Sequence, residues 1–366
     1  MDTDKPKLKK ILILYARAGN GHYSQAKSLQ EYLLKFAPNQ FEIKLVDGLA
    51  GNSEFTQKRF TEGYQLLTSK FYWLWKATYF VYENKFLFGF SSVFLKLSSQ
   101  KYLQKIIDEF GPDLVVDTYY FFAYLNNKNS IKSYQLVKLI TDIFSPAKAA
   151  FFGKNANYIV YSEEALKIGE ETTSSQIYLT PPLVSVNFPS TKKDHALKTQ
   201  KLLILAGGDS FPNSGKILNS LKKLNPKIQV TVVCGRNQIL LEKVTNLKAQ
   251  NNLENWEIFG FSNEVPRLIS ESGLVITKAG PATIWEILSL KKPMVLTSYI
   301  WKQELGNKDF VVNQKVGIYE PNPDKLYLLV EDFFTNPKNY SLMLENLKKL
   351  DLPTQNSDLA NYFLSL

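Results

Sequence analysis

Two short stretches of the 366-residue chain bring together residue types able to do chemistry. The first reads Tyr15-Ala16-Arg17-Ala18-Gly19-Asn20-Gly21-His22. It follows the apolar run Ile11 to Leu14 and precedes Ala26, Leu29, Leu33 and Phe36 at helical spacing. This is a glycine-rich turn from a strand into a helix, with a backbone open to close approach and His22 placed to take a proton or to donate to a phosphate. The bland alternative is a solvated histidine after a flexible turn. The second stretch, Thr277-Lys278-Ala279-Gly280-Pro281-Ala282-Thr283, joins the apolar run Leu274 to Ile276 to a helix expected from about Ala282 to about Leu290. Gly-Pro removes bulk and fixes the backbone where the first helical N–H groups lack partners, which suits a phosphate. Glu286 is placed to accept from vicinal hydroxyls such as a ribose diol. Gln303-Glu304, after the apolar run Pro293 to Leu296, adds acceptors of the kind sugars need. Together these residues describe a nucleotide-sugar pocket.

The elements that must position them alternate between strand and helix. Phe41 to Val46, Leu114 to Thr118, Leu136 to Ile140 (ending in Thr141-Asp142), Tyr158 to Tyr161 and Ile177 to Leu179 read as strands in the first half. In the second half Leu202 to Leu205 leads into Ala206-Gly207-Gly208, Ile228 to Val233 into Cys234-Gly235-Arg236-Asn237, and Trp256 to Phe259 into Gly260-Phe261. Glycines at strand exits let the backbone approach ligand phosphate, and Arg236 can pair with a diphosphate or with a surface carboxylate. Val311 to Tyr319 is expected as a last strand. The polar stretch Pro189 to Gln200 reads as a linker, giving an N-terminal domain over 1–188, a linker over 189–200, a C-terminal domain over 201–345 and a final helix within 346–366. Ligands of open parallel sheets collect outside the carboxyl ends of the strands, so two such sheets facing one another form a cleft with polar loops on both walls.

Hydrophobic content of 45% fits a folded chain of two ordinary domains. Cys234 is the one cysteine, which excludes a disulfide and a cysteine-based metal cluster and points to a reducing compartment. The basic start is followed by only Ile11 to Leu14, too short for the apolar core of a signal peptide. The net charge is +10, and between Phe55 and Lys105 eight Lys or Arg stand against two Glu, among many large aromatics. That mixture fits an anionic membrane surface, with no nucleic-acid module to favour the other polyanion. Phe71 to Leu97 is long enough to span a bilayer by count, yet Lys76, Glu83, Asn84 and Lys85 interrupt it. It is expected to lie on the surface or to line a groove for lipid, with Trp73, Trp75, Tyr79 and Phe80 as contacts, although many of these aromatics would equally serve as core.

The run Lys278-Ala279-Gly280-Pro281, Glu286, Gln303-Glu304 and Asn307, together with Gly19-Asn20-Gly21-His22, resembles the signatures of the glycosyltransferase family that contains monogalactosyldiacylglycerol synthase and the bacterial diacylglycerol β-glucosyltransferases, more distantly related to the lipid II N-acetylglucosaminyltransferase. The resemblance implies an α/β fold of two Rossmann-like domains facing across a cleft, the GT-B arrangement. It further implies UDP-glucose or UDP-galactose held mainly by the C-terminal domain through Gly21, Gly207, Gly208, Arg236, Phe261, Lys278, Gly280, Pro281, Ala282, Thr283, Glu286, Gln303, Glu304 and Asn307. The resemblance implies for His22 the role of general base toward a diacylglycerol hydroxyl or of an acceptor-site residue, and Asp142 either assists it or caps a turn. Direct in-line attack would invert the anomeric centre. No cofactor is expected and, with no Asp-x-Asp pair or histidine cluster, no obligatory metal. The enzyme would work as a peripheral protein on the cytoplasmic face of a membrane. Where members commonly carry a His and a Trp, this chain reads Ile143-Phe144-Ser145-Pro146, and where they carry a Gly-x-Pro turn with an Arg it reads Thr180-Pro181-Pro182-Leu183. Those departures leave two alternatives, transfer to another lipid-linked acceptor such as an undecaprenyl-diphosphate sugar, or a nucleotide-sugar-sensing membrane adaptor without catalysis.

Overall fold

The structure is a computed structural model that describes residues 8–16, 21–51, 72–119, 122, 133–185, 199–207, 213–352 and 356–366, apart from the side chains of 72, 75, 91, 92, 94, 95, 97 and 98. The chain forms two compact units, Met1–Val186 with Pro353–Leu366, and Asn187–Leu352.

The first unit is built on a six-stranded parallel sheet in the order β2-β1-β3-β4-β5-β6. β1 (Lys9–Tyr15) and β3 (Leu114–Asp117) run through its middle and are buried on both faces. That is why Ile11 to Leu14 and Leu114 to Val116 are unbroken apolar runs. The edges differ: β2 (Phe41–Asp47) alternates between buried and open positions, and β6 (Ile177–Leu179) has no buried residue. β4 (Gln135–Leu139) and β5 (Ala156–Val160) complete the sheet. From β1 the chain goes to β2 on one side, through helix α1 (Gly21–Phe36), and later returns on the other side as β3. The carboxyl ends of β1 and β3 are thus the topological switch point, where open α/β sheets bind ligands.

The aromatic stretch forms two helices, Tyr72–Glu83 and Lys85–Phe110. Asn84 separates them and caps the second by accepting from Phe86 N and Leu87 N, and Gly111 ends it in the left-handed region at φ 59°. Among the described residues no helix is long and apolar enough to cross a membrane. The last helix, Asp358–Ser365, belongs to this unit. Lys9 Nζ donates to the Phe363 and Leu364 carbonyls at its carboxyl end, and Tyr362 stacks on Tyr178 at 4.2 Å.

The second unit carries a six-stranded parallel sheet in the order β12-β11-β10-β7-β8-β9. The strands are β7 (Lys201–Leu205), β8 (Gln229–Val233), β9 (Trp256–Phe259), β10 (Leu274–Thr277), β11 (Met294–Leu296) and β12 (Gly317–Tyr319). Its switch point lies between β7 and β10. One sequence expectation is corrected here. Val311 is not in a strand but in the helix Leu305–Asn313, fully buried, and only Gly317–Tyr319 joins the sheet. The polar Asn313, Gln314 and Lys315 divide the stretch, and the chain turns there from the end of the helix into the short strand.

Candidate functional site

At the N-terminal switch point His22 stands in the first turn of α1, and its Nδ1 lies 2.6 Å from the carbonyl oxygen of Thr118, the residue that follows β3. A carbonyl only accepts, so Nδ1 carries the proton and Nε2 of the neutral ring keeps its lone pair. Thr141 Oγ1, beyond the end of β4, is 3.3 Å from the same Nδ1. Tyr119 meets the imidazole edge-on at 4.9 Å between centroids. Burial holds the ring neutral, lowering its pKa to about 4 against the opposing pull of the Thr118 carbonyl. Asp142 is buried beside Thr141, and the side chain that reaches Nδ1 from this strand exit is that of Thr141. A small recess beside these groups is lined by Asp117, Thr118, Lys138, Thr141 and Asp142. Among the described residues a Cβ on Gly21 would meet nothing within 4 Å.

At the second switch point Gly280 is the N-cap of the helix Pro281–Ser289, with Pro281 in its first turn and no side chain capping it. The turn before the helix is pinned on several sides. Lys278 Nζ donates to Glu304 Oε1, Ile300 N donates to Glu304 Oε2 at 2.8 Å, Asn307 Nδ2 donates to the Ala279 carbonyl at 3.0 Å, and Ala279 N donates to the Ser298 carbonyl at 2.8 Å. Glu304 is only 3% exposed, with both carboxylate oxygens engaged within the fold. Asn307 is likewise buried. Their immediate effect is to hold the 278–280 turn rigid. Gly280 has φ −67° and room for a Cβ, so neither strain nor crowding demands glycine there.

Glu286 is different. It sits in the second turn of this helix, half-buried, and among the described residues no hydrogen bond or ion pair reaches its carboxylate. Burial alone raises its pKa to about 7. Ser298 Oγ is also buried without a hydrogen-bond partner among the described residues, and Ala282 and Thr283 complete the first turn.

Three further strand exits stand beside this one, in the order β10, β7, β8, β9. Gly207 and Gly235 touch backbone to backbone: a Cβ on Gly207 would come within 2.9 Å of Gly235 Cα, and Gly235 has φ +58°. Side chains at either position would part β7 from β8. The Arg236 guanidinium lies over the Phe261 ring at 4.9 Å, and both side chains are exposed. Gln303 is half-buried, between Lys302 with φ +59° and Glu304. Gly19, Asn20 and Gly208, the 189–198 part of the linker and the side chain of Trp75 lie outside the described residues.

On the helices Tyr72–Glu83 and Lys85–Phe110, Trp73 and Phe80 are exposed, as are Phe86 at 83% and Phe90 at 82%, which sequence reasoning did not single out. Exposed Lys76 and Lys85 stand among them. Tyr79 is corrected from surface contact to core: it is 4% exposed and its hydroxyl donates to the Ser145 carbonyl at 3.4 Å. Burial, then the charges of Asp142 and Glu83, push its pKa upward. The spacing 73, 76, 80 and 86, 90, 93 marks the outward stripes in retrospect. Thr118 and Thr141 were placed at strand ends by the sequence but given no role, and Tyr119 was not named, since nothing in their spacing marks a contact with His22. Among the described residues no three His, Cys, Asp or Glu stand together as metal ligands would.

Two parallel-sheet units, each with a switch-point site, are the architecture of the GT-B fold. Solved structures share this fold: Anabaena HepE in complex with UDP and glucose aligns with a TM-score of 0.58 at 14% identity, covering 98% of this chain and 100% of that one. Acinetobacter baumannii MurG aligns with a TM-score of 0.56 at 13% identity, covering 98% and 100%. Residues 22–182 match the family model described as monogalactosyldiacylglycerol (MGDG) synthase, and residues 190–349 match the glycosyltransferase family 28 C-terminal domain. Monogalactosyldiacylglycerol synthase 1 of Arabidopsis thaliana is 25% identical over 386 residues, covering 96% of this chain and 70% of the relative. The processive diacylglycerol beta-glucosyltransferase of Bacillus subtilis (strain 168) is 25% identical over 362 residues, covering 94% and 92%. The chain is thus a glycosyltransferase whose first half matches the MGDG synthase model and whose second half matches the glycosyltransferase family 28 C-terminal domain, and it is similar over nearly its whole length to these diacylglycerol glycosyltransferases.

Proposed function

We propose that the protein transfers a hexose, glucose or galactose, from a UDP-sugar to diacylglycerol at a membrane surface, inverting the anomeric centre. The observation that carries this reading is the Glu286 carboxylate, without a partner among the described residues, one turn inside an uncapped helix end at a switch point. The free amides after Gly280 suit the diphosphate, and Glu286 suits the ribose hydroxyls. Arg236 and Phe261 offer a cation and a flat ring at the neighbouring exits. Lys278, Glu304 and Asn307 keep the phosphate turn in place, so the binding geometry exists before the ligand arrives.

In the proposed reaction the acceptor hydroxyl oxygen attacks the anomeric carbon. The bond from that carbon to the β-phosphate oxygen breaks and its electron pair leaves with UDP, while the hydroxyl proton passes to Nε2 of His22. A ring of low pKa suffices because the hydroxyl becomes strongly acidic once its oxygen bonds to carbon, so the proton moves late. The helix amides and Arg236 offset the charge on the leaving diphosphate in place of an obligatory metal. The exposed rings of Trp73, Phe80, Phe86 and Phe90 among lysines suit a peripheral seat on anionic lipid, where the acceptor resides. Diacylglycerol is supported by the names of the relatives that align with nearly the whole chain, a monogalactosyldiacylglycerol synthase and a diacylglycerol glucosyltransferase. An assay of lipid products from diacylglycerol vesicles, with UDP-glucose and UDP-galactose in parallel, tests the reading. Release of a hexosyl-diacylglycerol is expected, and donor binding without any lipid product would favour a sensor.

A further inference from the structure

Asp117 and Lys138 face one another on neighbouring strands β3 and β4, and both are buried, at 2% and 1% exposure. A buried ion pair is a poor source of stability, because both ions lose their hydration. A lysine inside Leu136-Val137-Lys138-Leu139 also interrupts an interior strand of a parallel sheet. The fold makes room for it, since a Cβ on Gly153 would stand 2.6 Å from Lys138 Cε. Such an arrangement calls for a purpose other than stability.

Its consequence is visible two residues on. Asp117 Oδ2 accepts from Lys138 Nζ, and Oδ1 accepts from Tyr119 N at 2.8 Å, closing an Asx-turn. Thr118 lies inside that turn, its N and Oγ1 both donating to the Leu14 carbonyl, at 3.0 and 3.1 Å. With its donors tied to β1, its carbonyl is aimed at the His22 ring, and the Tyr119 ring closes on the same imidazole.

We infer that Asp117 and Lys138 are positioning residues: the buried pair fixes the 117–119 turn so that the Thr118 carbonyl keeps the His22 proton on Nδ1 and leaves Nε2 free to receive one. The inference rests on His22 being the base of the proposed transfer. Both members are buried, and their effect on His22 runs through the turn. The acceptor that Asp117 presents to Tyr119 N sets the turn, and Lys138 serves to hold that acceptor in place.

The chain has two histidines, so His195→Gln leaves one imidazole to observe, and nitrogen-15 NMR of histidine-labelled protein reads its tautomer directly. The parent protein should show a neutral ring protonated on Nδ1. Two double variants then separate the turn from the charge. Asp117→Ala/Lys138→Met removes both, and should lose the single tautomer and lower kcat by roughly tenfold or more, with KM for the UDP-sugar within about twofold. Asp117→Asn/Lys138→Met keeps an oxygen for Tyr119 N without an ion, and should retain the tautomer and kcat within about threefold. Should the alanine variant fail to fold by circular dichroism, Gly153→Ala, which displaces the lysine stem, is read in the same way. An Nε2-protonated ring in the parent, an unchanged tautomer in the folded alanine variant, or equal losses in both double variants would overturn the inference. Failure of the underlying reading looks different: His22→Ala would retain transfer while the tautomer results stood.

Discussion

At the end of β1 the polar groups are already matched to one another, whereas at the end of β10 several are left open. His22 has its Nδ1 engaged by Thr118, and the pair beneath it is closed. The helix after Gly280 has no side-chain cap, Glu286 has no partner among the described residues, and Ser298 Oγ is buried without one. A reacting group must be held in one protonation state and one orientation, so its surroundings are complete before substrate arrives. A binding surface must keep donors and acceptors for the ligand, so its surroundings look unfinished. The N-terminal site has the first character and the C-terminal site the second.

The sharpest way to break this contrast is to remove each centre and see which kinetic constant moves. His22→Ala should lower kcat by about 10² to 10⁴ with little change in donor KM, as loss of a general base does. Glu286→Ala should act on binding, raising the dissociation constant for UDP roughly tenfold to a hundredfold, the worth of a charge-assisted hydrogen bond. Isothermal titration and steady-state assays read both effects.

pH sharpens the contrast. The fold raises Glu286 from 4.5 to about 7, so it favours the protonated form. Its contribution to stability is complete below pH 4.5 and is lost as pH rises through 7. A ligand that needs the ionised carboxylate should then bind more tightly at pH 8 than at pH 6, and Glu286→Gln should flatten that part of the dependence. His22 runs the other way. Its pKa is lowered from 6.5 to about 4, so its contribution is present above pH 6.5 and is lost as pH falls toward 4. Accordingly kcat should show no inflection from His22 between pH 5.5 and 8.

Smaller effects concern the surroundings. Replacing Phe86 and Phe90 together by serine should weaken sedimentation with anionic vesicles roughly tenfold, since each ring withdraws part of the ~1.5–3 kcal/mol available from full burial. Turnover of a short-chain, water-dispersed acceptor should fall far less. Dialysis against EDTA should change transfer by less than about twofold, because helix amides and a guanidinium carry the leaving-group charge in the proposed reaction.

Much of the architecture was legible because parallel strands buried on both faces leave unbroken apolar runs, as at Ile11 to Leu14 and Leu274 to Ile276. The two strand exits were legible as glycine turns between a strand and a helix, while the roles given to their residues came from the joint run and the family resemblance rather than from either motif alone. What stayed hidden depends on register. The facing of Asp117 and Lys138 follows from which rung of β3 meets which rung of β4, and nothing in either strand states that. The lysine alone was a usable sign, being a charge within an interior strand. Tyr79 and Phe86 show the same limit on helices, where composition shows that aromatics abound while only packing decides that one is core and the other surface. Glu304 and Gly280 extend the point. Both lie in one motif, yet the carboxylate fastens the turn while the glycine position would accept a Cβ.

The most direct test is a paired measurement on His22→Ala and Glu286→Ala: calorimetric titration with UDP beside single-turnover transfer to diacylglycerol vesicles. The account predicts that His22→Ala binds UDP like the parent and fails to transfer, while Glu286→Ala binds UDP weakly and regains much of its transfer at saturating donor. It would be contradicted if His22→Ala lost UDP binding, or if Glu286→Ala bound UDP undiminished.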